Sequence, residues 1–161
     1  MAIPRTSWTG IATNGTLDGP KKAVFIHHSV SPNRLWTKRQ EREHLRGIRR
    51  SHLDRGFADI GYHFAIFPSS RLYALRGINL IPAAQEGNNT GTIAIVVVGS
   101  NPRLNLLQKR RLIRAVKAIR QNHRQVKVLG GHRDVTPTEC PGDNVYGWLP
   151  RLRARTGLRA P

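Results

Sequence analysis

"TIAIVVVG", residues 92–99, is the most apolar run in this chain. Its length and its β-branched side chains are typical of a strand that is buried on both faces. We therefore predict that it forms the centre of a β-sheet. Shorter apolar runs at 23–30 ("AVFIHHSV") and 126–130 ("VKVLG") predict two further strands.

Two helices are predicted around these strands from capping signals and apolar spacing. Thr37 with Gln40 resembles a capping box at the start of a helix over 37–55. Asn105 with Gln108 marks the start of a second helix in the same way. Apolar residues follow each cap at helical spacing, so each helix has one face to pack on the sheet.

The remaining segments complete a single-domain plan. "IGYHFAIF" (60–67) and "RLYALRG" (71–77) flank "PSS" and predict a β-hairpin, and a short helix is predicted over 146–156. Strands that alternate with helices predict an α/β fold, a mixed central sheet with helices packed on its faces. We predict one domain over 1–161, with an irregular N-terminal arm (1–22) and a core over 23–156.

The composition limits the class of protein. A single cysteine, Cys140, excludes an internal disulfide framework. No stretch approaches the roughly 20 apolar residues that span a bilayer. The first ten residues lack the basic and apolar regions of a secretory signal, so we expect synthesis in the cytoplasm without a signal peptide.

The charge is strongly positive. The chain has 27 Lys and Arg against 9 Asp and Glu, a net charge of +18, concentrated over 38–55, 109–127 and 151–159. Such a surface attracts polyanions: nucleic acid, anionic membrane or anionic cell wall. No nucleic-acid motif is present and the aromatic residues are not interleaved with the basic runs, so we expect no specific nucleic-acid partner.

Histidines at strand ends are the main candidates for chemistry. His27 and His28 are neighbours on one predicted strand, so their side chains point to opposite faces of the sheet. Tyr62 and His63 likewise face opposite ways, and we expect one of them to lie in the core.

The segment "GGHRDVTPTECPG" (130–142) places Cys140 eight residues after His132. Imidazole and thiolate are the ligands that zinc prefers, and three protein ligands with one open position make a catalytic site. The spacing is too wide for a zinc-finger knuckle, so a third ligand would have to come from a distant strand. On spacing alone, an inert buried thiol remains the alternative. A carboxylate-pair site has few candidates, of which Glu86 and Glu139 lie in suitable loops.

Four segments together resemble the zinc-dependent N-acetylmuramoyl-L-alanine amidases, the type-2 family that includes phage endolysins and animal peptidoglycan-recognition proteins. They are "VFIHHSVSP", "IRRSHLDRGFADIGYHFAIF", "GNNTGTIAIVVVG" and "GGHRDVTPTECPGDNVYGWLPRLR". The resemblance runs from about Val24 to Arg153, in matching order and spacing. It implies a mixed sheet with packed helices and a groove that holds zinc.

The resemblance also implies roles for individual residues. His27, His132 and Cys140 match the family's zinc ligands. Tyr62, in "GYHF", matches a tyrosine that the catalytic members need for hydrolysis. Thr138 matches a position that is expected to hydrogen-bond the tetrahedral intermediate.

Other positions are expected to contact the substrate or to shape the loops. His28 and Asn89 are expected to bind substrate, and Asp134 is either a partner of a ligand or a turn former. The family often has a histidine where this chain has Ala84, so the substrate contacts in that part of the groove are expected to differ.

The resemblance therefore implies a peptidoglycan hydrolase that cleaves the amide between the N-acetylmuramic acid lactyl group and L-alanine with zinc-activated water. A phage endolysin that acts on the cell wall as a monomer is the leading interpretation, with the +18 charge attracting anionic wall polymers or the outer membrane. A non-catalytic peptidoglycan-binding module is the alternative. Members that only bind typically lack the cysteine ligand, and Cys140 is present.

Overall fold

A computed structural model of the protein describes residues 11–161. The sheet has the spatial order β3-β2-β4-β1-β5. Its strands are β1 (Ala23–Ser29), β2 (Phe64–Ile66), β3 (Leu72–Ala74), β4 (Thr92–Val98) and β5 (Val128–Gly131). The helices are α1 (Lys38–Asp54), α2 (Leu106–Asn122), α3 (Asp143–Tyr146) and α4 (Leu149–Thr156), with a 3-10 turn at His132–Asp134. No helix within this described part of the chain is long and apolar enough to cross a membrane.

Strand β4 lies at the centre of the sheet, as its apolar run predicts. It pairs in parallel with β1 and β2, and all seven of its residues are buried. β2 and β3 form the predicted antiparallel hairpin, although each strand is only three residues long. The sheet is therefore mixed, and the α/β prediction is confirmed.

Alternate residues of β4 pack into two separate cores. Ile95 and Val97 face the core that contains residues of α2 and α4. Val96 and Val98 face the core that contains Leu45 of α1. Because side chains alternate along a strand, α1 covers one face of the sheet, and α2 with α4 covers the other.

Both predicted capping boxes are present. The Thr37 side chain accepts from the Gln40 backbone N–H at 3.3 Å, and the Gln40 side chain accepts from the Thr37 N–H at 2.9 Å. Asn105 and Gln108 make the same reciprocal pair at 2.8 and 2.9 Å. Each pair satisfies N–H groups that have no partner within the first helical turn.

The C-terminal segment differs from the single helix predicted over 146–156. The helix in this range is α4, which begins at Leu149, because Pro150 has no N–H and its ring would clash with the carbonyl of Tyr146 in a helix that started earlier. The short helix α3 ends at Tyr146, where the predicted helix begins. Packing also continues past Thr156, where Leu158 is buried and the Arg159 carbonyl accepts from the Leu129 N–H at 2.9 Å.

The described part of the predicted arm, residues 11–22, has no strand of its own but is anchored to the domain, and residues 1–10 lie outside the described residues. Leu17 bridges to Leu80. The Lys21 ammonium is buried and donates to Asp18 and to two backbone carbonyls at 2.9 and 3.0 Å.

Candidate metal centre

His27, His132 and Cys140 converge at one end of the parallel strands. Strands β1 and β5 are paired so that Ile26 lies beside Gly131. A histidine directly follows each of these two residues in the sequence, so the rings of His27 and His132 lie side by side with centroids 4.9 Å apart. One candidate ligand atom from each of the three residues lies within 4.8 Å of the others.

Glycine allows the cysteine loop to approach this pair. A Cβ atom on Gly131 would lie 2.8 Å from Cδ of Pro141, which is closer than real contacts allow. Without that atom, the loop places Sγ of Cys140 at 3.8 Å from Nδ1 of His27. The backbone N–H of His28 also donates to this sulfur, at 3.3 Å.

The three donors suit zinc. Two tetrahedral ligands at zinc's usual N and S bond lengths are ~3.6 Å apart, close to the separation of His27 Nδ1 and Cys140 Sγ. Burial, with a further effect of His132, lowers the pKa of His27 to about 3, so its imidazole is neutral at pH 7. Burial raises the pKa of the Cys140 thiol to about 11, so a metal must displace its proton.

Asp134 shapes the loop between the two C-terminal candidates. Its Oδ2 accepts from the Gly131 N–H at 2.8 Å and its Oδ1 accepts from the Tyr146 hydroxyl. Arg153 approaches the same carboxylate at 3.5 Å. All of these contacts are to the scaffold, so of the two roles predicted for Asp134 the structure shows turn formation.

A cleft of about 710 Å³ opens over the three converging residues. Tyr62 lines it, with its ring centroid 5.6 Å from that of His27. Burial raises the pKa of Tyr62 to about 12, so it keeps its hydroxyl proton at neutral pH. Its neighbour His63 points the other way and is fully buried, where its Nδ1 accepts from the Ala94 N–H. This confirms that one of the pair belongs to the core.

The predicted substrate-binding residues His28 and Asn89 line the same cleft, as does Thr138, which is predicted to be catalytic. Each also makes contacts within the protein. Asn89 Oδ1 accepts from the N–H groups of Ala84 and Gln85 at 3.1 and 3.0 Å, so it holds the loop closed. Thr138 Oγ1 accepts from the Cys140 N–H at 3.2 Å, which leaves its hydroxyl proton free to donate. His28 Nδ1 accepts from the Asn101 N–H at 3.3 Å.

Gln85 is a cleft residue that the sequence analysis missed. It is 2% exposed, its Nε2 donates to the Asn88 carbonyl at 2.7 Å, and its Oε1 is buried without a partner. His27 Nε2 is also buried without a partner. Burial lowers the His27 pKa, and the nearby Gln85 side chain acts in the opposite direction, as an acceptor for an imidazole N–H would. In the sequence it lies in "PAAQ" and belongs to no motif that marks a functional residue.

Comparison with known proteins gives consistent matches. The sequence profile described as N-acetylmuramoyl-L-alanine amidase matches residues 17–143. Peptidoglycan-recognition protein LB of Drosophila melanogaster is 32% identical over 133 residues, which are 80% of this chain and 57% of that protein. An N-acetylmuramoyl-L-alanine amidase of Sus scrofa is 30% identical over 98% of this chain and 29% of its own length. The chain thus spans little more than half of the first relative and less than a third of the second.

A solved structure shares the fold. The endolysin N-acetylmuramoyl-L-alanine amidase LysCS of Clostridium intestinale superposes with a TM-score of 0.74 at 24% identity, covering 94% of this chain and 97% of that one. At this identity the likeness concerns the arrangement of the sheet and helices.

Proposed function

This chain belongs to the N-acetylmuramoyl-L-alanine amidase family, and from that membership we propose that it hydrolyses the amide between the lactyl group of N-acetylmuramic acid and L-alanine in peptidoglycan. The observation that carries the proposal is the convergence of His27, His132 and Cys140 beneath a cleft that also holds Tyr62. Three protein ligands with an open side for water and substrate are the arrangement of a catalytic zinc site.

His27, His132 and Cys140 would hold the zinc ion. When bound, zinc lowers the pKa of a coordinated water and polarises the substrate carbonyl. Gly131 lets the cysteine loop close on the histidines, and the His28 N–H stabilises the Cys140 sulfur as a thiolate. The close approach at Gly131 and the hydrogen bond to the sulfur hold the three side chains near one another.

Tyr62 and Thr138 would act on the reacting amide. Tyr62 is protonated at neutral pH and sits beside His27, so its hydroxyl can donate to the oxygen that gains negative charge. The exposed Thr138 hydroxyl lines the cleft and accepts from the Cys140 N–H, so its own proton can be donated to a group in the cleft. Donors placed at a developing oxyanion lower the barrier, each by a factor on the order of 100 to 1000.

Gln85 would be a positioning residue. If His27 binds the metal through Nδ1, its Nε2 carries a proton and needs an acceptor. Gln85 Oε1 is the buried acceptor without a partner in the same cleft, and its amide is fixed by the Asn88 carbonyl. This pairing would set the tautomer and the ring orientation of His27.

We further propose an endolysin role, supported by the likeness to LysCS, in which the chain is made in the host cytoplasm and acts on the cell wall. A binding-only role is the second candidate, because the fly relative is named for peptidoglycan recognition. Cys140 favours the enzyme, since a module that only binds peptidoglycan has no need of a thiolate ligand.

Product analysis separates these functions. Purified full-length chain would be incubated with peptidoglycan, with and without a chelator, and the new chain ends identified. An amidase releases free L-alanine amino termini, and the chelator stops their release. New reducing sugar ends would indicate a glycosidase instead, and retained binding without any product would support the recognition module.

A further inference from the structure

A groove of about 390 Å³ lies between α2 and α4, on the face of the sheet opposite α1. Its floor is apolar and is formed by Ile113 and Trp148, and Leu106 lines its edge. Its rim carries four cations: Lys109, Arg110, Arg151 and Arg155. None of its lining residues also lines the cleft of the candidate metal centre.

The rim cations have no acidic partners. No Asp or Glu occurs between Glu86 and Asp134, and none follows Asp143. Both helices of the groove therefore lack acids, while α2 carries six cations and α4 three. Within residues 11–161, none of the four rim residues takes part in an ion pair.

The first turn of α2 adds two exposed leucines beside this groove. Leu106 and Leu107 are 62% and 61% exposed, and because they are adjacent they form one apolar patch at the start of α2. Leu107 lines a second cationic pocket on the adjacent face of α2, with Arg110, Arg111 and Arg114. Each leucine thus lies beside a group of cations, and the two groups share Arg110.

The combination of cations with exposed apolar side chains indicates which class of partner fits this groove. A polyanion without hydrocarbon, such as a nucleic acid or a wall phosphate polymer, would satisfy the cations but leave the apolar floor and the leucines in water. An anionic lipid in a bilayer satisfies both, because its phosphate meets the rim while its acyl region receives the apolar side chains. Apolar residues flanked by Lys and Arg on a helix are typical of segments that lie at a membrane surface.

We propose that the α2–α4 groove docks the protein on bilayers rich in anionic lipid, with Leu106 and Leu107 inserted at the headgroup level. The docking does not depend on the proposed amidase activity, because it uses a different face of the sheet. It would concentrate the protein at an anionic membrane that borders the cell wall.

Vesicle binding by the full chain tests the cationic part of the proposal. The triple variant Arg110→Gln/Arg151→Gln/Arg155→Gln is compared with Lys38→Gln/Arg46→Gln/Arg50→Gln, which removes the same charge from exposed positions of α1. Each cation near an anionic surface contributes about fivefold in affinity. We expect the groove variant to bind phosphatidylglycerol vesicles on the order of 100-fold more weakly and the α1 variant to lose less than about tenfold. Equal losses would overturn the proposal, since they would show attraction by net charge alone.

The apolar part needs a separate variant. Leu106→Ser/Leu107→Ser keeps every charge, and both positions are exposed, so the fold does not depend on them. We expect it to weaken binding to phosphatidylglycerol vesicles at least tenfold and to leave binding to soluble polyphosphate and duplex DNA unchanged. Wild-type binding to these vesicles that is no tighter than binding to the soluble polyanions, or no effect of the leucine change, would overturn the lipid assignment.

Discussion

Helices α1 and α2 are each 17 residues long, begin with a capping box and carry six cations, yet their charges have different surroundings. α1 contains three acids, and two of its charged residues reach buried or partly buried partners: Glu41 pairs with Arg71, and Arg49 with Asp59. α2 contains no acid. The difference indicates that charged residues of α1 help to stabilise the fold, whereas the cations of α2 form no ion pair within residues 11–161.

The largest stability effect is expected at Glu41. Its fully buried carboxylate accepts from Ser69, Arg71 and Tyr73, the last at 2.6 Å. Glu41→Ala leaves these donors without their acceptor, and we expect a loss of about 3–5 kcal/mol in the free energy of unfolding. The matched change on the other face, Arg114→Gln, should stay within about 0.5 kcal/mol. Denaturant titration measures both, and similar losses would contradict the comparison.

A change within the cleft should alter rate rather than stability. Tyr62→Phe removes the proposed donor, and we expect kcat for amide hydrolysis to fall on the order of 100- to 1000-fold while the zinc content stays the same. Tyr73→Phe is the control, because Tyr73 donates to Glu41 on the α1 face and should keep the wild-type rate. A wild-type rate for Tyr62→Phe would remove Tyr62 from the proposed mechanism.

Gln85→Ala tests the positioning of His27. We expect zinc affinity, measured by competition with a chromophoric chelator, to fall about 10- to 100-fold, as is typical when the partner of a metal-binding histidine is lost. Gln85→Glu keeps an acceptor and should retain more of the affinity. The nitrogen chemical shifts of the His27 ring report its tautomer directly. Unchanged affinity and an unchanged tautomer in Gln85→Ala would show that Gln85 only fills space.

The smallest effect is a pH dependence from Asp59. Burial opposes ionisation, but hydrogen bonds from Arg49 and the Ile60 N–H outweigh it, so the pKa of Asp59 lies below its usual value. A lowered pKa in the folded state gives stability that is present above the unfolded pKa of ~3.9 and is lost as the pH falls through the folded value. Because the Arg49 side chain is 43% exposed, the ion pair is partly screened by water. We therefore expect the free energy of unfolding of wild type to exceed that of Asp59→Asn by only about 1 kcal/mol at pH 7. This gap should shrink below pH ~4, and a gap that grows with acid would contradict the assignment.

Apolar runs and capping pairs predict most of the strands and helices, because each depends only on residues that are close together in the sequence. The apolar run over 92–99 marks the central strand, and the Thr37 and Asn105 caps fix two helix starts. The C-terminal helix begins at Leu149 rather than at residue 146, because the ring of Pro150 excludes a helical turn that includes the Tyr146 carbonyl.

The candidate site depends on pairing between distant segments, which local patterns do not encode. His27 and His132 meet because Ile26 lies beside Gly131 across two strands that are about 100 residues apart in the chain. Residue chemistry suggests a metal shared by His132 and Cys140 but leaves an inert thiol open, and the resemblance to a family is what assigns His27 and Cys140 as ligands. Gln85 could not be found in either way, because an amide is not a typical ligand and its role depends on two buried atoms, its own Oε1 and His27 Nε2.

The Cys140→Ser variant tests the central claim most directly, because it removes the thiolate and little else. Zinc content and the release of L-alanine amino termini from peptidoglycan would be measured on wild type and variant together. We predict about one zinc ion per wild-type chain, and loss of both zinc and product in the variant, with its circular dichroism and vesicle binding unchanged. Hydrolysis by Cys140→Ser at the wild-type rate would contradict the account.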